Sequence, residues 1–149
     1  MTLAEIAVFL GRHTLATQSS IAPGGAPQSA VVGVVCNDAA ELFFDTLEST
    51  RKCQNLRKDP RVALVIGWDL AEGRTVQVEG VADEPTGAEL ARWKAIYFAR
   101  FPNGVAREAW PGITYFRVRP TWVRYSDFSG AEPVVVELDG AALTTTARL

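Results

Sequence analysis

Residues 28–36 hold the run Ala30-Val31-Val32-Gly33-Val34-Val35, set between the turn-rich stretch Ala22-Pro23-Gly24-Gly25-Ala26-Pro27 and the pair Asn37-Asp38. A β-branched, nearly unbroken apolar run of this length is too short to span a bilayer. It reads as a strand covered on both faces. In a chain of 149 residues the second cover is expected to be a ligand or a partner subunit.

The other elements fall around this strand in hairpin-like succession. Thr2 and Glu5 have capping-box spacing, and Leu3, Ile6, Ala7 and Leu10 repeat at helical spacing as far as Gly11. A first strand near residues 14–17 leads into the Pro/Gly loop. Residues 42–46 return as a strand, and a helix is expected from about Ser49 to Lys58, stopped by Asp59-Pro60. Residues 61–68 form a strand. In residues 74–82, Val76, Val78 and Val81 alternate with Thr75, Gln77 and Glu79, and Gly80 marks a bulge or close approach. Thr86 and Glu89 give a second capping box, with Leu90, Trp93 and Tyr97 on one helical face up to Phe101. A loop then carries Arg107, Trp110 and Pro111. Strands over residues 113–118 and 122–126 are separated by Pro120, and residues 134–138 make a last strand.

Six or seven strands, three helices and sparse strand–helix alternation predict a mainly β fold, a small antiparallel β-barrel with peripheral helices. The length suits one domain, expected over residues 1–138, with residues 139–149 as a fraying tail.

A net charge of −2 gives no electrostatic case for nucleic acid. Cys36 and Cys53 lack metal-ligand or redox spacing and are read as reduced thiols. With His13 the only histidine, neither a zinc site nor a Ser–His–acid triad is supported, and no metal is expected. Ser49 and Lys52 match S-x-x-K, but the further motifs of penicillin-recognising enzymes are missing. No signal-type N-terminus and no membrane-length apolar run is found, so a cytoplasmic protein is expected.

Chemistry enters at residues 43–56. Arg51 and Lys52 fall in the first turn of the expected helix, where partial positive charge and unpaired N–H groups favour acidic side chains. Two cations there, with hydroxyls from Thr46, Ser49 and Thr50 close by, make a phosphate cradle. The competing reading is a solvated basic pair, or ion pairs to Asp45 and Glu48. Thr75 and Gln77 share one strand face and either meet a polar ligand edge or face solvent. Trp110 is either a plug over the barrel end or a stacking residue for a planar ligand. Arg117, Arg119 and Arg124, interrupted by Asp127 and Glu132, read as a solvated sheet face or dimer rim.

These segments, in this order and spacing, resemble the pyridoxamine 5'-phosphate oxidase-like family of FMN-binding split barrels. The residues that carry the resemblance are the apolar strand, Phe44-Asp45-Thr46, Ser49-Thr50-Arg51-Lys52, Asn55-Leu56, Asp59-Pro60-Arg61-Val62, Val76-Gln77-Val78-Glu79-Gly80 and the late Arg119-Pro120-Thr121-Trp122-Val123-Arg124-Tyr125. It implies a six- to seven-stranded antiparallel split barrel and a homodimer with FMN at its interface. Arg51 and Lys52 would hold the FMN phosphate, with Thr46 and Thr50 helping. The backbone of Ala30, Val31 and Val32 would run along the isoalloxazine edge. Asp45 stands where many members place an aromatic residue beside the flavin. Thr75 and Gln77 would approach the ring, and Trp110 the partner's flavin.

The chain departs from the vitamin B6 oxidases at several points. Ala30 replaces an arginine and Val35 a lysine, Ser126-Asp127-Phe128 replaces a Trp-Gln-Gly segment, and no Arg-x-His follows. The resemblance therefore implies an FMN-dependent oxidoreductase that is not a strict B6 oxidase, acting on a small molecule whose identity the sequence leaves open. A deazaflavin-dependent reductase and a non-catalytic flavin- or haem-binding protein are the same-fold alternatives. No side chain stands out as a general acid or base, so no catalytic residue is assigned.

Overall fold

The computed structural model describes residues 1–144. Helix α1 (Leu3–Gly11) opens the chain, and its capping box forms as the sequence predicts: Thr2 Oγ1 accepts from the Glu5 N–H while the Glu5 carboxylate accepts from the Thr2 N–H. Strands β1 (Leu15–Ile21) and β2 (Pro27–Gly33) make a hairpin, and β3 (Val35–Cys36) turns into β4 (Leu42–Leu47). That turn is held by Asn37, whose Oδ1 accepts from the Ala39 and Glu41 N–H groups. Helix α2 (Arg51–Lys58), β5 (Arg61–Ile66), β6 (Arg74–Asp83), α3 (Gly87–Arg100) and a short α4 (Gly104–Arg107) follow. The chain closes with β7 (Ile113–Asp127), β8 (Val134–Asp139) and α5 (Gly140–Thr144). Of the tail expected to fray from Asp139, that residue ends β8 and α5 follows it; residues 145–149 lie outside those described.

The strands form one antiparallel sheet in the order β2-β1-β5-β6-β7-β4-β3, with β8 also on β7. β2 and β3, at opposite ends of that order, are joined in the chain by Val34 alone. The sheet must therefore curl until its two ends meet, which is the mainly β, split-barrel architecture the sequence predicts. It also accounts for the apolar run: residues 30–33 pair with β1, while Val35, followed by Cys36, pairs with β4. The strand count is eight because Val34 divides that run.

Inward side chains such as Ala16, Phe44, Leu64, Val76, Val78, Phe116 and Val123 fill the barrel, together with Ile6 and Leu10 of α1 and Leu56 of α2. On the outside, α3 packs Trp93 and Tyr97 against Phe43 and Tyr115, with Phe43 stacked on Trp93 at 5.2 Å.

Three expectations are corrected. Pro120 does not end a strand: β7 runs through it, because the register with β6 shifts between Glu79 and Gly80 and leaves Thr121 as the extra residue of a bulge. Thr86 makes no side-chain cap on α3, and the Glu89 carboxylate pairs with Arg117. Arg117 is not on a solvated face. It is 3% exposed and paired with Asp83 and Glu89. Arg119 pairs with Asp83 and Glu41, and Arg124 with Glu137.

Candidate functional site

The N-terminus of α2 sits against the far end of the β1–β2 hairpin. Its cap is Thr50, whose Oγ1 accepts from the Cys53 N–H at 3.4 Å. The Thr50 hydroxyl donates to the Leu47 carbonyl at 2.8 Å and lies 2.9 Å from Thr46 Oγ1, so the proton between the two hydroxyls comes from Thr46. Lys52 Nζ in turn donates to Thr46 Oγ1 at 3.5 Å. This relay from Lys52 through Thr46 and Thr50 to Leu47 holds the ammonium at the start of the helix. Thr46 and Thr50 act here as props for Lys52, with their protons already committed.

Arg51 and Lys52 line a cleft of about 340 Å³ together with Gln18 and Ser20 of β1 and Gln28, Ser29 and Ala30 of β2. Neither carboxylate that could neutralise the cations does so. Asp45 pairs with Arg107 at 2.9 Å, and Glu48 with Arg57 at 2.8 Å. Two cations therefore share a helix start with no acidic residue in its first turn.

The cleft floor is polar and buried. Asn55, on the inner side of α2, donates from Nδ2 to Ser20 Oγ at 3.1 Å and to Gln28 Oε1 at 2.8 Å, which ties the helix to both strands. Beside them Gln18 is 1% exposed, and its Oε1 has no hydrogen-bond partner among the described residues. Native interiors rarely leave such a group unpaired.

The predicted site residues are divided by this geometry. Ala30, Arg51 and Lys52 line the cleft, and Thr46 and Thr50 stand behind Lys52. Val32 points into the core, whereas Val31 is 60% exposed on the outer face of the sheet. Thr75 and Gln77 lie on that outer face too, Gln77 in the cross-strand row that runs through Val65 and Thr17 to Val31. Asp45 is directed at Arg107 and Tyr97 on the α3 side, where burial and the Asp45 charge raise the Tyr97 pKa. Trp110 is half exposed in the turn after α4. The cleft thus gathers fewer of the predicted residues than expected, and adds Gln18, Ser20 and Gln28, the last two held from behind by Asn55. A signal for two of these lay in β1, where Gln18 and Ser20 share the period-two face of the buried Ala16.

Both cysteines are free. Burial pushes the Cys36 thiol up to about 12 and also raises Cys53, so neither is a thiolate at neutral pH. Among the described residues no helix is long and apolar enough to cross a membrane.

A curled antiparallel barrel with a cation-bearing helix start against its first hairpin defines the class, and sequence comparison agrees with it. The family described as pyridoxamine 5'-phosphate oxidase matches residues 2–127, and the chain belongs to that family. A pyridoxine/pyridoxamine 5'-phosphate oxidase from Bordetella avium (strain 197N) is 31% identical over 94 residues, 63% of this chain. The match covers 42% of that enzyme's length. Among solved structures, a heme-binding protein from Mycobacterium smegmatis superposes with a TM-score of 0.82 at 20% identity, over 97% of this chain and 61% of that one. HutZ, the heme storage protein from Vibrio cholerae, gives 0.67 at 18% identity, over 80% and 91%. At these identities the two structures establish the fold alone.

Proposed function

We propose that this protein is an FMN-binding oxidoreductase that acts as a homodimer on a small molecule and is not a strict B6 oxidase. The observation that carries the cofactor assignment is the pair Arg51 and Lys52. They sit at a helix N-terminus, their nearby carboxylates are engaged elsewhere, and Lys52 is propped by hydroxyls over a cleft. That donor set fits a phosphate monoester dianion. The cleft lining holds cations, amides and hydroxyls, with neither an imidazole nor a thiol to ligate iron. This favours flavin over haem, although heme-binding proteins share the fold.

Bound FMN would supply the electron or hydride transfer. Arg51 and Lys52 would anchor the phosphate, and the Ala30 backbone would border the cofactor as it leaves the cleft. The exposed apolar side chains Leu15, Val31 and Val65 on the outer face suit a second copy of the chain, which would bring Thr75 and Gln77 into an interface. The absence of arginine at position 30 and lysine at position 35 argues against tight recognition of a second phosphate, the one on pyridoxamine phosphate. A cytoplasmic location suits two free thiols.

The test is titration of purified protein with FMN and with a deazaflavin, followed by quenching of flavin fluorescence. FMN is expected to bind, and Arg51→Ala with Lys52→Ala to weaken it by about 10²–10³-fold, the loss expected for charge-assisted bonds to phosphate. Unchanged affinity in that double variant would sink the phosphate assignment. Tighter binding of the deazaflavin than of FMN would transfer the protein to the deazaflavin reductases.

A further inference from the structure

Gln18 is the one side chain of the cleft that nothing in the fold explains. It sits on β1 opposite Ala30 of β2, next to Leu64 of β5, on the face that fills the barrel. At that depth apolar residues are the rule, and its neighbours on the same face, Ala16 and Leu64, are fully buried. Ser20 and Gln28 both accept from Asn55 Nδ2. Gln18 does not join them, and its Oε1 remains without a donor while the residue lines the same cleft as Arg51 and Lys52. A buried carbonyl oxygen kept unpaired destabilises the fold and is accounted for when its donor arrives with a ligand.

We infer that Gln18 is a specificity-determining residue of this cleft: its amide oxygen accepts a hydrogen bond from an O–H or N–H of the bound molecule, close to the anionic group held by Arg51 and Lys52. The inference rests on the phosphate reading above and narrows it. The cleft then selects a phosphorylated ligand with a hydroxyl-bearing chain next to the phosphate, as the ribityl chain of FMN provides, over a bare dianion. Arg51 and Lys52 recognise charge; Gln18 recognises the donor beside it.

The position makes a prediction that a merely structural glutamine would not. Gln18→Met keeps the length of the side chain and removes the unpaired acceptor. It is expected to raise the melting temperature of the cofactor-free protein by about 2–4 °C and to weaken FMN binding by about five- to tenfold, the effect of one lost hydrogen bond. Sulfate, a dianion without donors, competes for the cation pair alone, so its inhibition constant against FMN is expected to be unchanged in the variant. Gln18→Asn, which keeps the polarity and withdraws the carbonyl by one methylene, is the second variant should the first not fold; it is expected to weaken FMN to a similar degree.

FMN affinity equal to wild type in both variants would overturn the role of Gln18 while leaving the phosphate site standing. A sulfate constant that shifts as much as that of FMN would also overturn it, because Gln18 would then act through the cations. Failure of the wild-type protein to take up FMN would overturn the cofactor reading and this assignment with it.

Discussion

At the scale of single residues, Gly80 and Arg117 show two ways in which one side chain governs the barrel. Gly80 faces Pro120 across the β6–β7 bulge, and a Cβ there would overlap the Arg119 carbonyl oxygen and approach a Val118 methyl. Gly80→Ala is expected to destabilise the protein by about 1–3 kcal/mol, as overpacking does, with a matching fall in the urea midpoint. That role was legible in the sequence, because Gly80 interrupts a clean alternation. Arg117 was not legible. Its partners come from β6 and α3, 34 and 28 residues away, and only the fold brings two carboxylates over a buried guanidinium. Arg117→Ala is expected to cost about 2–4 kcal/mol, below the upper range for a broken buried pair because Asp83 and Glu89 remain part-exposed. Loss of less than 1 kcal/mol in chemical denaturation would mean that the pair is no more than a surface contact.

At the scale of elements, α2 and α3 give a paired comparison. Both begin after a threonine, but only Thr50 accepts from a helix N–H; Thr86 makes no side-chain cap. Thr50→Ala is expected to lose about 1 kcal/mol and to weaken FMN binding as well, since it removes the middle of the relay that holds Lys52. Thr86→Ala is expected to change stability by less than about 0.5 kcal/mol. Parallel denaturation curves of the two variants check the contrast. The capping spacing at Thr86 and Glu89 was real in the sequence. The Glu89 half of the box is given up to a charge-assisted bond with a buried arginine. The apolar run at residues 30–35 was read as covered on both faces; Val32, Val34 and Val35 are buried, but Val31 is 60% exposed. Its division at Val34 between two sheet edges follows from barrel closure, which local pattern does not encode.

At the scale of the whole molecule, two properties are open to measurement. The first is assembly. Val31 and Val65 flank Thr17 in one cross-strand row of the outer face, both exposed. If the proposed homodimer uses this face, Val31→Glu with Val65→Glu is expected to convert it to a monomer in light scattering while leaving the far-ultraviolet circular dichroism unchanged. A mass equal to that of the wild type would remove this face from the proposed assembly. The second is acid stability. Hydrogen bonds from the Ser129 hydroxyl and N–H, then the Arg74 guanidinium, lower the Asp127 pKa from 3.8 to about 2 in the folded protein. A carboxylate depressed on folding contributes stability that is fully present above its unfolded value and is lost as pH falls through the folded one. Wild type should therefore lose its advantage over Asp127→Asn between about pH 4 and pH 2. A constant difference in melting temperature across that range would exclude the linkage.

The sequence by itself determined the periodicities and the punctuation: which segments alternate, where helices begin, and that two cations stand where a helix start repels them. Those are local properties, set by side-chain spacing and backbone preference within a few residues. The tertiary structure decided what lies opposite what. It drew Asp45 and Glu48 away to Arg107 and Arg57, leaving Arg51 and Lys52 facing a cleft. It also buried Gln18 at the floor of that cleft with an unpaired oxygen. Both depend on β1, β2 and α2 meeting at one end of a closed sheet. Hydrogen bonds and ion pairs act only over a few ångströms, and the separation of their partners along the chain carries no record of that distance.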